Sequence, residues 1–342
     1  MARGDVKVSV VIPVYNAGQL LGRMLDSILA QTEQSFEVIC VDDGSNDNGA
    51  TAAILEKYAA LDARITVLKQ KNLGSIAARN AGLEKVCGKY AYSCDQDDWL
   101  HPQLFEYCVW TAETNDVPFV AFRYDRCEGN MPPTVPRLND FGKVPLLVVD
   151  ERTSQSNPAA YRRAHCFHTD CWVQFTTLDL ARTFPFILGR GVTRPYTLLK
   201  TAKRWAVSEA VLYYYNPGVA TSMMHKPISK KVLLAEREDW IAFWNLYKDE
   251  RKNGDASGLW RHQCKNMLVK GLKIELNAIR RSRKQEDPSL HRQKLEILSE
   301  TLREFFIRRK LPLRYASFRH AIKYLWLMMR FRSRECQILH NQ

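Results

Sequence analysis

Residues Val6 to Val14 form a run that is β-branched almost throughout. A strand with one wet face alternates apolar and polar side chains. This run does not alternate, so it reads as a strand buried on both faces. Gln19 to Gln31 follows with helical spacing, placing Leu20, Leu21, Met24, Leu25, Ile28 and Leu29 on one side. The pattern then repeats. Phe36 to Val41 reads as a strand, Ala50 to Ala60 as a helix, Ile65 to Leu68 as a strand, Ser75 to Val86 as a helix and Tyr90 to Cys94 as a fourth strand. Strands alternating with helices mean right-handed crossovers, an α/β fold and a mainly parallel sheet covered on both sides. Pro13 is expected to end the first strand, and Tyr15 to Gly18 to make the turn after it.

In such sheets ligands bind beyond the carboxyl ends of the strands. Two acidic clusters fall there. One is Asp42-Asp43, ahead of Gly44 and Ser45; the other is Asp95-Gln96-Asp97-Asp98. Three carboxylates within four residues at the end of a buried strand repel one another unless a cation sits among them. Oxygen ligands favour Mg²⁺ or Mn²⁺, with substrate phosphates completing the shell.

The 342-residue chain can bury a large core and still carry an appendage. Its apolar and charged fractions argue against general disorder. A formal charge of +13 asks for an anionic partner, whether nucleic acid, membrane surface or phosphorylated substrate. Nine scattered cysteines with no Cys-x-x-Cys pair fit thiols in a reducing cytosol. No signal peptide is expected, because Asp5 and Lys7 precede the first apolar run and Pro13 interrupts it. No run reaches the ~20 apolar residues that a spanning helix needs.

Four stretches in order, Val-Ser-Val-Val-Ile-Pro-Val-Tyr-Asn, Val-Asp-Asp-Gly-Ser, Asn-Leu-Gly-Ser-Ile-Ala-Ala-Arg-Asn-Ala-Gly and Asp-Gln-Asp-Asp-Trp, resemble family 2 glycosyltransferases of the A-type nucleotide-diphospho-sugar fold. The resemblance covers about residues 5 to 125 well and 160 to 225 weakly. It implies a Rossmann-like catalytic domain over residues 1–225 and leaves a basic helical C-terminal region over residues 226–342. It implies that Pro13 and Tyr15 line a nucleotide pocket, that Asp43 accepts a hydrogen bond from uracil, and that Arg79 contacts the nucleotide or its phosphates. Asp95 and Asp97 would form the Asp-x-Asp signature, with Gln96 in the same nucleotide-sugar-binding stretch and Asp98 beside them as a third metal ligand. The implied cofactor is Mn²⁺ or Mg²⁺ and the implied donor a UDP-sugar. The acceptor would be a surface glycan or a lipid-linked glycan.

Relatives often carry a Glu-Asp pair ahead of a helix and a Tyr-x-Tyr segment. Here that segment is Val211 to Asn216 and the helix reads as Tyr196 to Lys203, yet Leu188 to Tyr196 holds no carboxylate. Asp170 is the first choice for the catalytic base, with Asp179 and Glu209 as alternatives. A third possibility is a chain whose base loop has decayed. Arg190 and Arg194 are candidates for an anionic acceptor or the diphosphate, against an ordinary role as solvated loop cations. His225 is a weak diphosphate candidate. His165, Cys166, His168 and Cys171 are too crowded for a zinc site.

Prolines 132, 133 and 136 mark a loop, and Leu146 to Val149 a strand. From Ile228 the chain turns helical and basic. Leu302 to Arg334 carries ten cations against Glu304, with Phe318, Ile322, Leu325, Trp326 and Met329 at helical spacing. That pattern reads as an amphipathic helix on an anionic membrane face. The expected location is cytoplasmic, peripheral to the membrane, with no nucleic acid as partner, because the cations gather in the tail rather than along a groove. The competing function is a non-catalytic binder of nucleotide sugar or glycan.

Overall fold

The computed structural model describes residues 6–127, 135–157, 173–186, 193–217, 229–252, 276, 279, 287–308 and 324. Strand β1 (Val8–Val14) is buried along its whole length. It pairs in parallel with β2 (Phe36–Asp42) on one side and β4 (Tyr90–Ser93) on the other, and β2 pairs in parallel with β3 (Ile65–Lys69). Helices α1 (Gln19–Leu29), α2 (Ala50–Leu61) and α3 (Ser75–Lys85) make the crossovers. These seven elements stand within two or three residues of their expected ends.

Pro13 does not terminate β1; it lies inside it, in register with Val41. The ladder to β4 stops at Val11–Ser93. The N–H that proline lacks therefore falls beyond that ladder, and a proline is tolerated in a central strand.

Beyond β4 the sheet is mixed. Its order is β3-β2-β1-β4-β8-β6-β9-β5, with β7 on β9. Here β5 is Trp99–Leu100, β6 Phe119–Arg126, β7 Leu146–Val149, β8 Gln174–Thr177 and β9 Trp205–Tyr215. Strand β8 runs antiparallel to both β4 and β6, while β6 and β9 are parallel. The chain also forms α4 (Leu104–Asn115), α5 (Glu151–Ser156), α6 (Leu178–Thr183) and α7 (Thr193–Ala202).

Helices cover both faces. On one, Val8, Val10, Ile12 and Val14 pack with Leu21, Met24, Leu25 and Ile28 of α1 and Leu104, Phe105 and Cys108 of α4. On the other, Val11, Ile39 and Val41 pack with Ala78 and Leu83 of α3 and Leu178 and Ala181 of α6. Helix α3 comes so close at Gly82 that a Cβ there would collide with Val11 and crowd Val41. A third cluster joins Phe119 and Ala121 to Leu198, Leu199, Trp205 and Val207. Cys40, Cys94 and Cys108 are buried thiols, and Cys127 is a thiol as well.

By its contacts the chain divides into two units, Met1–Ile187 with Thr193–Ser222, and Leu188–Val192 with Met223–Gln342. In the second, α8 (Lys230–Lys252) packs against α9 (Pro288–Arg303). Asp287 caps α9 by accepting from Ser289 N–H and Leu290 N–H, and Pro288 takes the first helical position. Of the basic stretch Leu302 to Arg334, residues 302–308 and 324 are described. Leu302 ends the apolar side of α9 and Glu304–Arg308 forms a π-helical turn. Among the described residues no helix is long and apolar enough to cross a membrane.

Candidate active site

Strands β2 and β3 lie on one side of β1 and β4 on the other, so the strand order reverses between β1 and β4. A crevice opens at such a switch point, outside the carboxyl ends. The segments leaving those ends are Tyr15-Asn16, Asp42-Asp43 and Cys94 to Asp98.

The three segments are tied to one another. Gln96 clips the Asp95–Asp98 loop to the end of β1: Tyr15 N–H donates to Gln96 Oε1 at 2.8 Å, and Gln96 Nε2 donates to Tyr15 O at 3.1 Å. Asn16 N–H donates to Ser45 Oγ at 3.0 Å, and the Asn16 and Asn46 side chains bridge the same two loops. The Gln96 side chain thus meets the backbone of Tyr15, as a brace for the rim.

Asp43 is 3% exposed. Its Oδ1 accepts from Gln70 Nε2 at 2.7 Å and Leu73 N–H at 2.8 Å, and its Oδ2 from Gly74 N–H at 2.8 Å. Three of about four acceptor positions on this carboxylate therefore shape the loop between β3 and α3. Gly44 follows at φ 72°, where a Cβ would stand 2.9 Å from Asn72 N, so the bend at Asp43 needs glycine.

Arg79 projects from α3 and is 6% exposed. Its Nε donates to Ser93 Oγ at 3.2 Å and its guanidinium forms a close ion pair with Asp95. The Ser93 hydroxyl donates to Val11 O at 3.1 Å, so its lone pairs are turned towards Arg79.

The three acids have different surroundings. Burial, then the charge on Asp95, pushes Asp97 up to about 6. Burial, then the charges on Asp95 and Asp97, pushes Asp98 up to about 8, against the pull of its hydrogen bonds. Asp98 is 1% exposed and faces inward. It accepts from Asn216 N–H at 2.7 Å and from the Tyr213 hydroxyl, which in turn accepts from Asp95 N–H at 3.3 Å. Asp98 therefore ties the end of β9 under the acidic loop, with one hydrogen bond to each of its oxygens. Among the described residues no three acid, histidine or cysteine side chains converge as a ready metal cage. Pro13 is buried in β1, two residues before Tyr15.

Two alternatives for the base lie elsewhere. Asp179 follows Thr177, which pairs with Tyr90 at the start of β4, so it sits at the opposite end of the sheet from the crevice. Glu209 is a surface residue in an ion pair with Arg123 at 3.0 Å. Asp170, Arg190, His165, Cys166, His168, Cys171 and His225 lie outside the described residues. Arg194 is not a solvated cation: it is 8% exposed and donates to Phe184 O at 2.8 Å and Gln174 Oε1 at 3.1 Å.

A family model described as Glycosyl transferase family 2 matches residues 9–180. Among curated proteins, the chain is 29% identical over 248 residues to the uncharacterized glycosyltransferase EpsJ of Bacillus subtilis (strain 168), across 70% of each chain. It is 40% identical over 102 residues to glycosyltransferase GlyA of Streptococcus pneumoniae serotype 4, a match spanning 30% of this chain and 14% of that one. It is 36% identical over 120 residues to poly(ribitol-phosphate) beta-N-acetylglucosaminyltransferase TarP of Staphylococcus aureus (strain N315), spanning 34% of this chain and 36% of that one. Among solved structures, S. aureus TarS 1-349 in complex with UDP-GlcNAc superposes with a TM-score of 0.62 at 16% identity, covering 95% of this chain and 88% of that one. The mannosyltransferase PcManGT of Pyrobaculum calidifontis, in complex with GDP-Man and Mn²⁺, gives 0.51 at 15% identity, covering 94% and 85%. At these identities the two structures speak for the A-type fold.

Proposed function

The chain belongs to glycosyl transferase family 2, and we propose that it moves a hexose or N-acetylhexosamine from a UDP-sugar to a hydroxyl of a surface-glycan acceptor, inverting the anomeric carbon with help from a divalent cation. The observation that carries this reading is the arrangement at the β1–β4 switch point, where Arg79 of α3 pairs with Asp95 in the acidic loop that leaves β4, two residues before Asp97. TarS bound to UDP-GlcNAc supports a uridine nucleotide as donor, and PcManGT bound to GDP-Man and Mn²⁺ supports the metal.

The residues present fit a hard cation. Asp95 and Asp97 offer oxygen only, and Asp97, raised first by burial and then by the charge on Asp95, is a carboxylate that a cation beside it would stabilise. When bound there, Mn²⁺ or Mg²⁺ supplies a Lewis acid for the charge that gathers on the departing diphosphate. Arg79 adds a guanidinium fork for the same oxygens while its pair with Asp95 fixes its direction. The Gln96 clip and the Asp98–Tyr213 lock hold the carboxylate loop rigid, so the site spends little free energy on reorganisation. Asp43 orders the loop beside the base pocket and keeps one acceptor position for uracil. Asp170 remains the proposed base, taking the acceptor proton as the hydroxyl attacks opposite the leaving group. The basic stretch from Leu302 supports a working position on an anionic membrane face, where lipid-linked glycans are found.

The test is UDP release from a panel of UDP-sugars with Mn²⁺ and a polyprenyl-linked or polyol-phosphate acceptor. At least one donor is expected to give release well above background that disappears with EDTA. Tight Mn²⁺-dependent UDP binding with no turnover on any pair would favour the non-catalytic binder.

A further inference from the structure

The segment Phe184 to Phe186 is tied to the site by contacts from Arg79 and Asn80 of α3. Asn80, next to Arg79 on α3, grips the backbone of Phe186 from both sides. Asn80 Nδ2 donates to Phe186 O at 2.9 Å, and Phe186 N–H donates to Asn80 Oδ1 at 2.8 Å. The Phe186 ring then carries two cations. The Arg194 guanidinium lies 4.0 Å from its centroid and that of Arg79 lies 5.9 Å from it. Arg194 is itself fixed by Phe184 O and Gln174 Oε1.

The hydrogen bonds from Arg79 to Ser93 and Asp95 act within the guanidinium plane and resist a tilt out of that plane less well. An aromatic face near it opposes that tilt, and the attraction of ring for cation strengthens where water is excluded. Resting on the donor reading above, we propose that Phe186, clipped by Asn80 and backed by Arg194, is a positioning platform that aims Arg79 at the diphosphate of the donor. Phe186 acts through Arg79, so its effect is confined to ligands that carry phosphate. The nucleoside part of the ligand gains nothing from it.

The experiment is isothermal titration of the full chain with UDP and with uridine, both with Mn²⁺. Phe186→Leu keeps apolar bulk but removes the ring; it is expected to weaken UDP about three- to tenfold and leave uridine within about twofold. Phe186→Tyr restores a ring and should restore UDP affinity. Arg194→Lys keeps the charge but loses the planar group stacked on the ring; it should show the same selective loss, and it carries the test if the leucine variant does not fold. Wild-type UDP affinity in both Phe186→Leu and Arg194→Lys, or equal losses for UDP and uridine, would overturn the platform and leave the donor reading standing. A wild-type chain that binds no UDP with Mn²⁺ would overturn both.

Discussion

Replacing Asp97 by asparagine is expected to abolish Mn²⁺-dependent transfer while making the metal-free protein more stable. The loss follows from its place in the cation site. A bound metal supplies several kcal/mol of transition-state stabilisation, so turnover should fall by about 10²- to 10³-fold or more. The gain follows from burial and from Asp95. Both make a charge at Asp97 costly, which is why its carboxyl is pushed up to about 6. An acid whose folded pKa is raised costs stability in full above that value and costs nothing below its ordinary pKa. Neutralising Asp97 should thus return up to about 3 kcal/mol at pH 7.5, a rise of about two units at about 1.4 kcal/mol each, and lift the melting midpoint by several degrees. The gap between variant and wild type should close as the pH falls from about 7 to about 4. Adding Mn²⁺ with UDP should reverse the order, because binding stabilises only the chain that can hold the pair. Thermal melts across that pH range check the sign. A midpoint for Asp97→Asn that lies below wild type at pH 7.5 without metal would contradict it.

The second large effect is expected at Asp98. Alanine there removes the acceptor that the Tyr213 hydroxyl and Asn216 N–H share at the buried end of β9. Stripping a buried network of one member leaves the desolvation cost of the others, about 2–4 kcal/mol for two groups, or roughly 5–10 °C. Asparagine keeps an acceptor for Asn216 and, like the neutral acid that burial favours, carries no charge, so Asp98→Asn should cost less than half as much. Tyr213→Phe should fall between the two, since it also takes away the acceptor for Asp95 N–H. Denaturant melts of the three variants give the ranking. Equal midpoints for Asp98→Ala and wild type would show that the lock contributes nothing.

The first seven elements were legible because each is local. A strand buried on both faces shows as an unbroken apolar run, and a helix on its face shows its own period. Of the later strands, β7 shows the same apolar run and lies where it was expected, at Leu146–Val149, while β5, β6 and β8 carry no such mark. Strand β5 is two residues long. In β6 the first four residues are buried and the last four exposed, so no single rule fits it. In β8 two of the four residues are Gln174 and Thr176, polar side chains that are buried nonetheless. Pairing with distant neighbours makes these strands, and nothing in their own sequence announces it. The site divides in the same way. Asp95 and Asp97 declare themselves as acids at a strand end. The inward turn of Asp98 depends on Tyr213, 115 residues away, and on Asn216. The Tyr-rich segment was visible in the sequence, but its partner was not. Pro13 was misread for a related reason, since whether a strand can tolerate proline depends on where its neighbour's ladder stops. Arg194 stood out only as a cation with a choice of roles, and Phe186 had no signal at all, because a clip by Asn80 appears only once α3 and the segment after α6 are side by side.

The most direct measurement is anomalous scattering at the manganese edge from crystals grown with UDP and MnCl₂. A single peak within bonding distance of an oxygen of Asp97 and of the diphosphate, with the Arg79 guanidinium on the same phosphate oxygens, is the expected result. Nucleotide bound at the β1–β4 crevice with no manganese between it and these acids, or bound at another edge of the sheet, would contradict it.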